Sequence, residues 1–236
     1  MERKIFWFLL VVVLAASAYA DRRSYVWTYE YATMPKGMAE IEYYHTLEYP
    51  NSSSPKANVW KQNVELEYGI TDRWDVSIYQ NFKQTNTAAA KTFAYDGWKL
   101  RTRYRLGERG LFLVDPLLYF ELQGPNDLSS AGVFEGKIIL AKDFDRLNVS
   151  YNLINKQALA EGGASQNEYS AGASFEFNPA FKIGLEGKGS YTSGKHYLGP
   201  TLSFASDKLW VNLGGATGLG NGADQLQVRL LLGVFI

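Results

Sequence analysis

The sequence predicts an all-β chain that folds as a single antiparallel transmembrane β-barrel of about twelve strands, and three observations carry that expectation. Apolar and polar residues alternate with period two over stretches of about ten residues, many times along the chain. The connections between these stretches are alternately short and long, the pattern of a barrel with tight turns at one end and polar loops at the other. The first twenty residues have the three parts of a secretory signal peptide.

That leader starts with Arg3 and Lys4, continues through the apolar run IFWFLLVVVLAA, and ends at the small-x-small site Ala18-Tyr19-Ala20. A spanning helix needs about 20 apolar residues, more than this run offers, so cleavage before Asp21 is expected. The chain contains no cysteine, which excludes disulfides, thiol catalysis, cysteine metal sites and a lipid-anchored N-terminus. Basic and acidic residues balance at 24 each, which gives no electrostatic reason to expect a nucleic-acid partner.

The alternation is clear in FKIGLEGKGSY, where Phe181, Ile183, Leu185 and Tyr191 oppose Lys182, Glu186, Lys188 and Ser190. LNVSYNL, YSAGASFEF, NVELEYG, WDVSIYQNF and LQVRLLLGVFI repeat it. Strands are expected at about 38–49, 59–69, 74–83, 94–106, 111–123, 133–142, 146–155, 167–177, 181–191, 196–205, 208–217 and 225–236. Short turns fall at GITDR, LGERG, KDFDR, NPA and ASDK, and longer polar stretches such as PNSSSPKAN and NKQALAEGGASQ lie between them. Trp60, Trp74, Tyr68, Trp98, Tyr169 and Phe177 stand near strand ends, as interfacial aromatic girdles require.

Three regions follow: a leader at 1–20, an aromatic segment at 21–37 and the barrel at 38–236. Tyr25, Trp27, Tyr29 and Tyr31 alternate as well, yet a thirteenth strand would break the even count of bacterial barrels. The segment is therefore expected inside the barrel or at its periplasmic mouth, with Pro35 and Gly37 turning the chain into the first strand. The alternative is that it is a spanning strand and one hairpin elsewhere is miscounted. QVRLLLGVFI ends the chain as an amphipathic strand with Phe235 penultimate, the kind of terminus that barrel-assembly machinery reads.

A charge near the lipid midplane costs about 2–4 kcal/mol, so the polar side of each strand must face the lumen. In KLRTRYRLGERG this places Lys99, Arg101, Arg103 and Arg105 inward in one row, joined by Lys182, Lys188 and Arg229 on other strands. The acidic lining is Glu40, Glu42, Glu65, Glu67, Asp75, Glu121, Glu135, Glu176 and Glu186. If water fills the lumen, these walls can guide anionic groups; if side chains fill it, the same residues form buried ion pairs. A lining of long charged side chains favours water.

Catalysis has little support. His45 falls on the outward face, and His196 follows a polar loop containing Ser193 and Lys195, without the oriented acid–base arrangement a hydrolase needs. Two distant histidines give no metal-ligand spacing, GLGNGAD lacks the phosphate-loop pattern, and no cofactor is expected.

In length, strand number and the inward row KLRTRYR, residues 38–236 resemble the bacterial outer-membrane porins, with the small twelve-stranded acidic-sugar porins nearest. Residues 21–37 and the terminal Ile236 depart from that pattern. The resemblance implies an outer-membrane, porin-like passive channel for small polar solutes, anionic ones among them, in which Lys99, Arg101, Arg103 and Arg105 guide carboxylates. The alternatives are a plugged structural or assembly barrel and an outer-membrane enzyme.

Overall fold

The computed structural model describes residues 23–51, 56–220 and 222–236, so the expected leader at 1–20 lies outside the described residues. Twelve strands follow in order: β1 (Ala39–Tyr49), β2 (Asn58–Thr71), β3 (Trp74–Asn86), β4 (Lys91–Arg105), β5 (Asp115–Gly124), β6 (Val133–Phe144), β7 (Leu147–Ala158), β8 (Ser165–Asn178), β9 (Phe181–Ser190), β10 (His196–Ala205), β11 (Leu209–Leu219) and β12 (Leu226–Phe235). Each pairs antiparallel with its neighbours in sequence. β1 also pairs with β12, with Tyr43 opposite Leu232 and Leu47 opposite Val228, which closes the sheet and leaves no edge.

All twelve expected strands are present, with two informative differences. β4 begins at Lys91 rather than 94, because Lys91, Thr92 and Phe93 still pair with Asn86, Thr85 and Gln84 beyond a bulge in which the register skips Asp96, next to Gly97. Gly97 has φ 111°, and a Cβ there would collide with the Gly124 carbonyl oxygen, so no other residue fits without movement. β5 begins at Asp115, not 111. The four consecutive apolar residues LFLV carry no period-two pattern, and the Gly110 N–H donates to the Asp115 carboxylate at 2.9 and 3.0 Å, which closes a loop over 106–114.

The other connections at that end are two or three residues long: 72–73, 145–146, 179–180 and 206–208. The opposite end carries the longer loops, from 87–90 up to 125–132. The two ends are called here the short-turn end and the long-loop end.

Burial is inverted relative to a water-soluble protein. Ile41, Leu66, Ile78, Leu100, Ile138 and Leu213 are among the exposed side chains, whereas Glu65, Glu67, Asp75 and Arg101 are at most 3% exposed. Water would not select an apolar exterior around a charged interior; a hydrocarbon phase would. Aromatics gather at both ends of this apolar belt. Phe177, Phe181 and Phe204 stack near the short turns, and Tyr151, Tyr169 and Tyr191 near the long loops.

Residues 23–38 form no strand; 23–34 lie inside the barrel, and the chain leaves it through the exposed Lys36 and Gly37. Val26 packs with Tyr44, Tyr79, Trp210 and Leu231, and Tyr31 with Leu117, Tyr119, Ile139 and Ala141. The lumen therefore has an apolar filling toward the short-turn end that the barrel strands alone do not provide.

Placing a charge on the belt tests this inversion. Leu213→Lys, in the middle of β11, is expected to lower the unfolding free energy in lipid vesicles by about 2–4 kcal/mol in urea titrations. A change within about 0.5 kcal/mol, the range of an ordinary surface substitution, would show that this face is not in hydrocarbon.

Candidate functional site: a charged lumen in two halves

The period-two alternation of β4 sends Lys99, Arg101, Arg103 and Arg105 to the lumen, and the register brings carboxylates to meet them. Asp75 stands directly opposite Arg103 and Glu121 opposite Arg101. Glu40 stands opposite Glu67, and Glu42 opposite Glu65, so β1 and β2 present like charges face to face. Such pairs are destabilising unless cations answer them. Arg101 does so, with Nη1 at 2.9 Å from Glu65 and Nη2 at 2.6 Å from Glu67. Arg103 holds Asp75 through Nε and Nη2 at 2.8–3.1 Å and also bonds Glu67. Lys99 lies 3.1 Å from Glu121.

The acids have further partners. The Tyr44 hydroxyl sits 2.5 Å from Glu42 and 2.6 Å from Glu65, and Arg23 lies 3.5 Å from Glu42. The indole N–H of Trp210 donates to Glu40. Glu42, Glu65 and Glu67 bring ligand-type oxygens within 4.8 Å of one another, but all three are already engaged by arginines or tyrosine. The cluster is a neutralised network, not a vacancy awaiting a cation.

This corrects one sequence expectation. Arg101 and Arg103 do face the lumen, but both are buried and ion-paired, so they cannot guide a passing carboxylate without first giving up their own. The physical reason is register together with reach: Asp75 on β3 stands opposite Arg103, and Glu65 and Glu67 lie one strand further on β2 within the span of the two guanidinium groups, so the acidic and basic walls are in direct contact here.

The N-terminal segment completes the closed half. A chain lying in a barrel without a strand partner must find acceptors and donors for its backbone among inward side chains. Glu186 supplies more than any other residue, accepting from the N–H groups of Val26, Trp27 and Thr28 at 2.8, 3.0 and 2.8 Å. Three successive backbone donors around one carboxylate form an anion nest. Asn152 accepts from the Tyr29 N–H at 2.7 Å and donates to its carbonyl at 2.9 Å. Ser203 and Asn212 donate to the Arg23 carbonyl, and the Met34 N–H donates to Asp75. Glu30 folds back to accept from the Ser24 N–H and hydroxyl at 2.5 and 2.7 Å, closing 24–30 into a loop with Trp27 near its tip.

Beyond Trp27 the lumen is open. Two adjoining cavities of about 350 and 490 Å³ lie toward the long-loop end and share Trp27, Asn63, Lys99, Lys156, Lys188 and Arg229 among their walls. Most cations here are matched: Lys61 by Glu48 at 2.8 Å, Lys137 by Glu135 at 2.7 Å, Lys156 by Glu168 at 2.7 Å. Among the described residues, Lys188 and Arg229 have no carboxylate within ion-pair distance. They rest on aromatic faces instead, Lys188 4.6 Å from the Trp27 ring centre and 5.2 Å from that of Tyr197, Arg229 5.1 Å from that of Tyr44. Arg229 Nε is buried without a hydrogen-bond partner.

The remaining residues expected in the lumen are distributed between these halves. Glu121 and Glu135 line the open cavities, while Lys182 reaches Ser24 at 3.2 Å and Glu176 at 3.4 Å near the short-turn end. Arg105, also near the short turns, lies over Tyr31 and bonds the Asp72 carbonyl. Residues that the sequence reading did not single out as lining the lumen include Arg23, Trp27, Asn152, Lys156 and Asn212. Lys156, Asn152 and Asn212 occupy inward parity positions on their strands and could have been found by extending the count. Arg23 and Trp27 fall in the segment expected inside the barrel or at its mouth, but their contacts depend on the path of a chain that pairs with no strand. His45 bonds the Tyr43 hydroxyl at 3.2 Å, and His196 that of Tyr169 at 3.1 Å.

No family model matches the chain, and no curated protein matches it. Solved structures do share its architecture. An outer membrane channel from Pseudomonas putida F1 superposes with a TM-score of 0.60 at 12% identity, covering 94% of this chain and 100% of that one. The KdgM porin in complex with disordered oligogalacturonate gives 0.55 at 12% identity, and the NanC porin 0.55 at 10%, each covering 83% of this chain and 98% of the other. At these identities the likeness is one of fold: a small, closed outer-membrane-type barrel.

The network makes a stability prediction. Glu67→Gln leaves Arg101 and Arg103 short of a buried carboxylate and is expected to cost about 3–5 kcal/mol in urea unfolding of the vesicle-embedded protein. A cost below about 1 kcal/mol would mean that water screens the pair, as at an exposed surface.

Proposed function

We propose that the chain is an outer-membrane, porin-like passive channel for small polar solutes that favours anions, with residues 1–20 as its removed leader, 21–37 as a segment narrowing the lumen and 38–236 as the barrel. The observation that carries the reading is the pair Lys188 and Arg229, left without carboxylates in a cavity reached from the long-loop end. Buried or half-buried cations are normally paired, so two unmatched ones beside open volume form an attractive well for a passing anion. Held weakly on aromatic faces, they can exchange those contacts for a carboxylate or phosphate without breaking an ion pair.

The wider lining supports the same reading. Lys99 and Lys156 border both cavities but are held by Glu121 and Glu168, which leaves Lys188 and Arg229, among the described residues, as inward cations there without a carboxylate. The fold neighbours include a porin solved with oligogalacturonate, whose repeating unit carries a carboxylate. A channel reading also fits the two histidines, each bonded to a tyrosine rather than to a serine or a carboxylate. The partners are membrane lipid, the machinery that assembles barrels and the solute itself, with no cofactor.

A second reading, a sealed structural barrel, rests on the N-terminal segment, whose Val26 and Tyr31 are fully or almost fully buried in the lumen. Electrical measurement separates the two. In planar bilayers, the refolded protein is expected to conduct with anion preference. Lys188→Gln with Arg229→Gln is expected to reduce the anion-to-cation permeability ratio about twofold or more, read from the reversal potential under a salt gradient. No conductance above background would sink the channel reading, and an unchanged ratio in the double variant would remove these two residues from it.

A further inference from the structure

The loop over 106–114 is anomalous at its end of the barrel. Its neighbours are two- or three-residue turns of polar or small composition, Asp72-Arg73, Asp145-Arg146, Pro179-Ala180 and Ser206-Asp207-Lys208. This one is nine residues long and exposes Leu111, Phe112, Leu113 and Val114 in succession, with Leu113 90% exposed. An apolar run at the tip of an aqueous loop loses stability for nothing unless something apolar covers it.

The polar groups of the loop are sorted by side. Arg109 points inward, donating to the Tyr31 carbonyl at 2.6 Å and pairing with Asp143. The Gly110 N–H is taken by the inward carboxylate of Asp115. The hydroxyl of Tyr31, reaching from inside the barrel, donates to the Gly107 carbonyl at 2.6 Å and accepts from the Gly107 N–H at 3.1 Å. Leu111 and Phe112 cover the same glycine from its free side: a Cβ there would meet their side chains at 2.8 and 2.7 Å.

One bond fixes the loop against the outward face. Lys142 has the parity of Ile138 and Leu140 on β6, that is, of the apolar belt, and its ammonium donates to the Phe112 carbonyl at 3.0 Å. A backbone carbonyl at a hydrocarbon boundary needs such a partner, and a lysine stem laid along the belt can deliver one. The apolar run is thus continuous with the belt through Leu106 and Phe144, which are 44% and 60% exposed.

From this sidedness we infer that residues 111–114 are a lipid-contacting element: the loop turns outward and buries its apolar tip in the interfacial layer of the leaflet facing the short-turn end. Its occupant is the acyl–headgroup boundary of the bilayer, chosen by the continuity of the run with the belt and by the lysine-capped carbonyl. The inference rests on the membrane-barrel reading. Its consequence reaches the lumen, because Tyr31 and Arg109 tie the same loop to the N-terminal segment.

The cysteine-free sequence permits a direct test. Bimane is attached at Leu113→Cys, at Asp207→Cys on a short polar turn, and at Leu213→Cys on the belt, in phosphatidylcholine vesicles with or without nitroxide-bearing lipid. The Leu213 adduct should be quenched by the lipid nitroxide, and the Asp207 adduct by aqueous iodide. The Leu113 adduct is expected to follow the lipid nitroxide and to be about threefold less accessible to iodide than the Asp207 adduct. Iodide quenching equal to that at Asp207, or protection from both quenchers by a protein partner or a second copy, would overturn the inference while a lipid-quenched Leu213 adduct left the barrel intact. Failure of lipid quenching at Leu213 would instead strike at the membrane reading itself.

Discussion

A lipid exterior cannot hold charge, and the rest of the structure follows from that constraint. Twelve strands with one face toward hydrocarbon have one other face on which to place Glu, Asp, Lys and Arg. Crowded into a narrow interior, those groups cannot all be solvated, so most must neutralise one another. The Glu40–Glu67 and Glu42–Glu65 oppositions make the problem acute on β1 and β2. The arginines of β4 resolve it by reaching back across β3 to carboxylates on β2 and β3. Arg101 and Arg103, which first look like part of a conduit, are therefore the structural counterweight to an acidic wall.

The same constraint governs the N-terminal segment. Its apolar side chains fill the lumen near the short turns, but its backbone carries donors and acceptors that hydrocarbon-like surroundings would leave unmet. Glu186, Asn152, Asn212 and Ser203 meet them. Glu186 is spent on three backbone N–H groups, so it has little to offer Lys188, two residues further along β9. The unmatched cation at the edge of the open cavity is thus a consequence of how the segment is anchored. Packing in one half of the lumen sets the electrostatics of the other.

The fold was largely legible because a bilayer enforces alternation along each spanning strand. On β9, the lipid-facing positions Phe181, Ile183 and Leu185 are all apolar, and the charges of Lys182, Glu186 and Lys188 fall on the opposite parity. Strand ends were less secure where the pattern lapsed, as at LFLV, whose four apolar residues read equally well as strand or as loop. Inward orientation of Arg101, Arg103, Glu67 and Asp75 was also readable, since parity alone decides it. Their pairing was not, because it depends on cross-strand register and on side-chain reach. Least legible was the segment around Trp27: its aromatics alternate like a strand, yet its hydrogen bonds run to residues more than a hundred positions away, such as Asn152 and Glu186.

The central claim is that residues 23–34 occupy the lumen and set the width of the path beside Lys188 and Arg229. Single-channel conductance of the full chain against a variant lacking 23–34, in the same bilayer and salt, tests it most directly. Removing the segment frees the volume now filled by Val26, Trp27 and Tyr31, and the conductance is expected to rise about threefold or more. Equal conductance in the two proteins, with both shown to be folded barrels, would contradict the account.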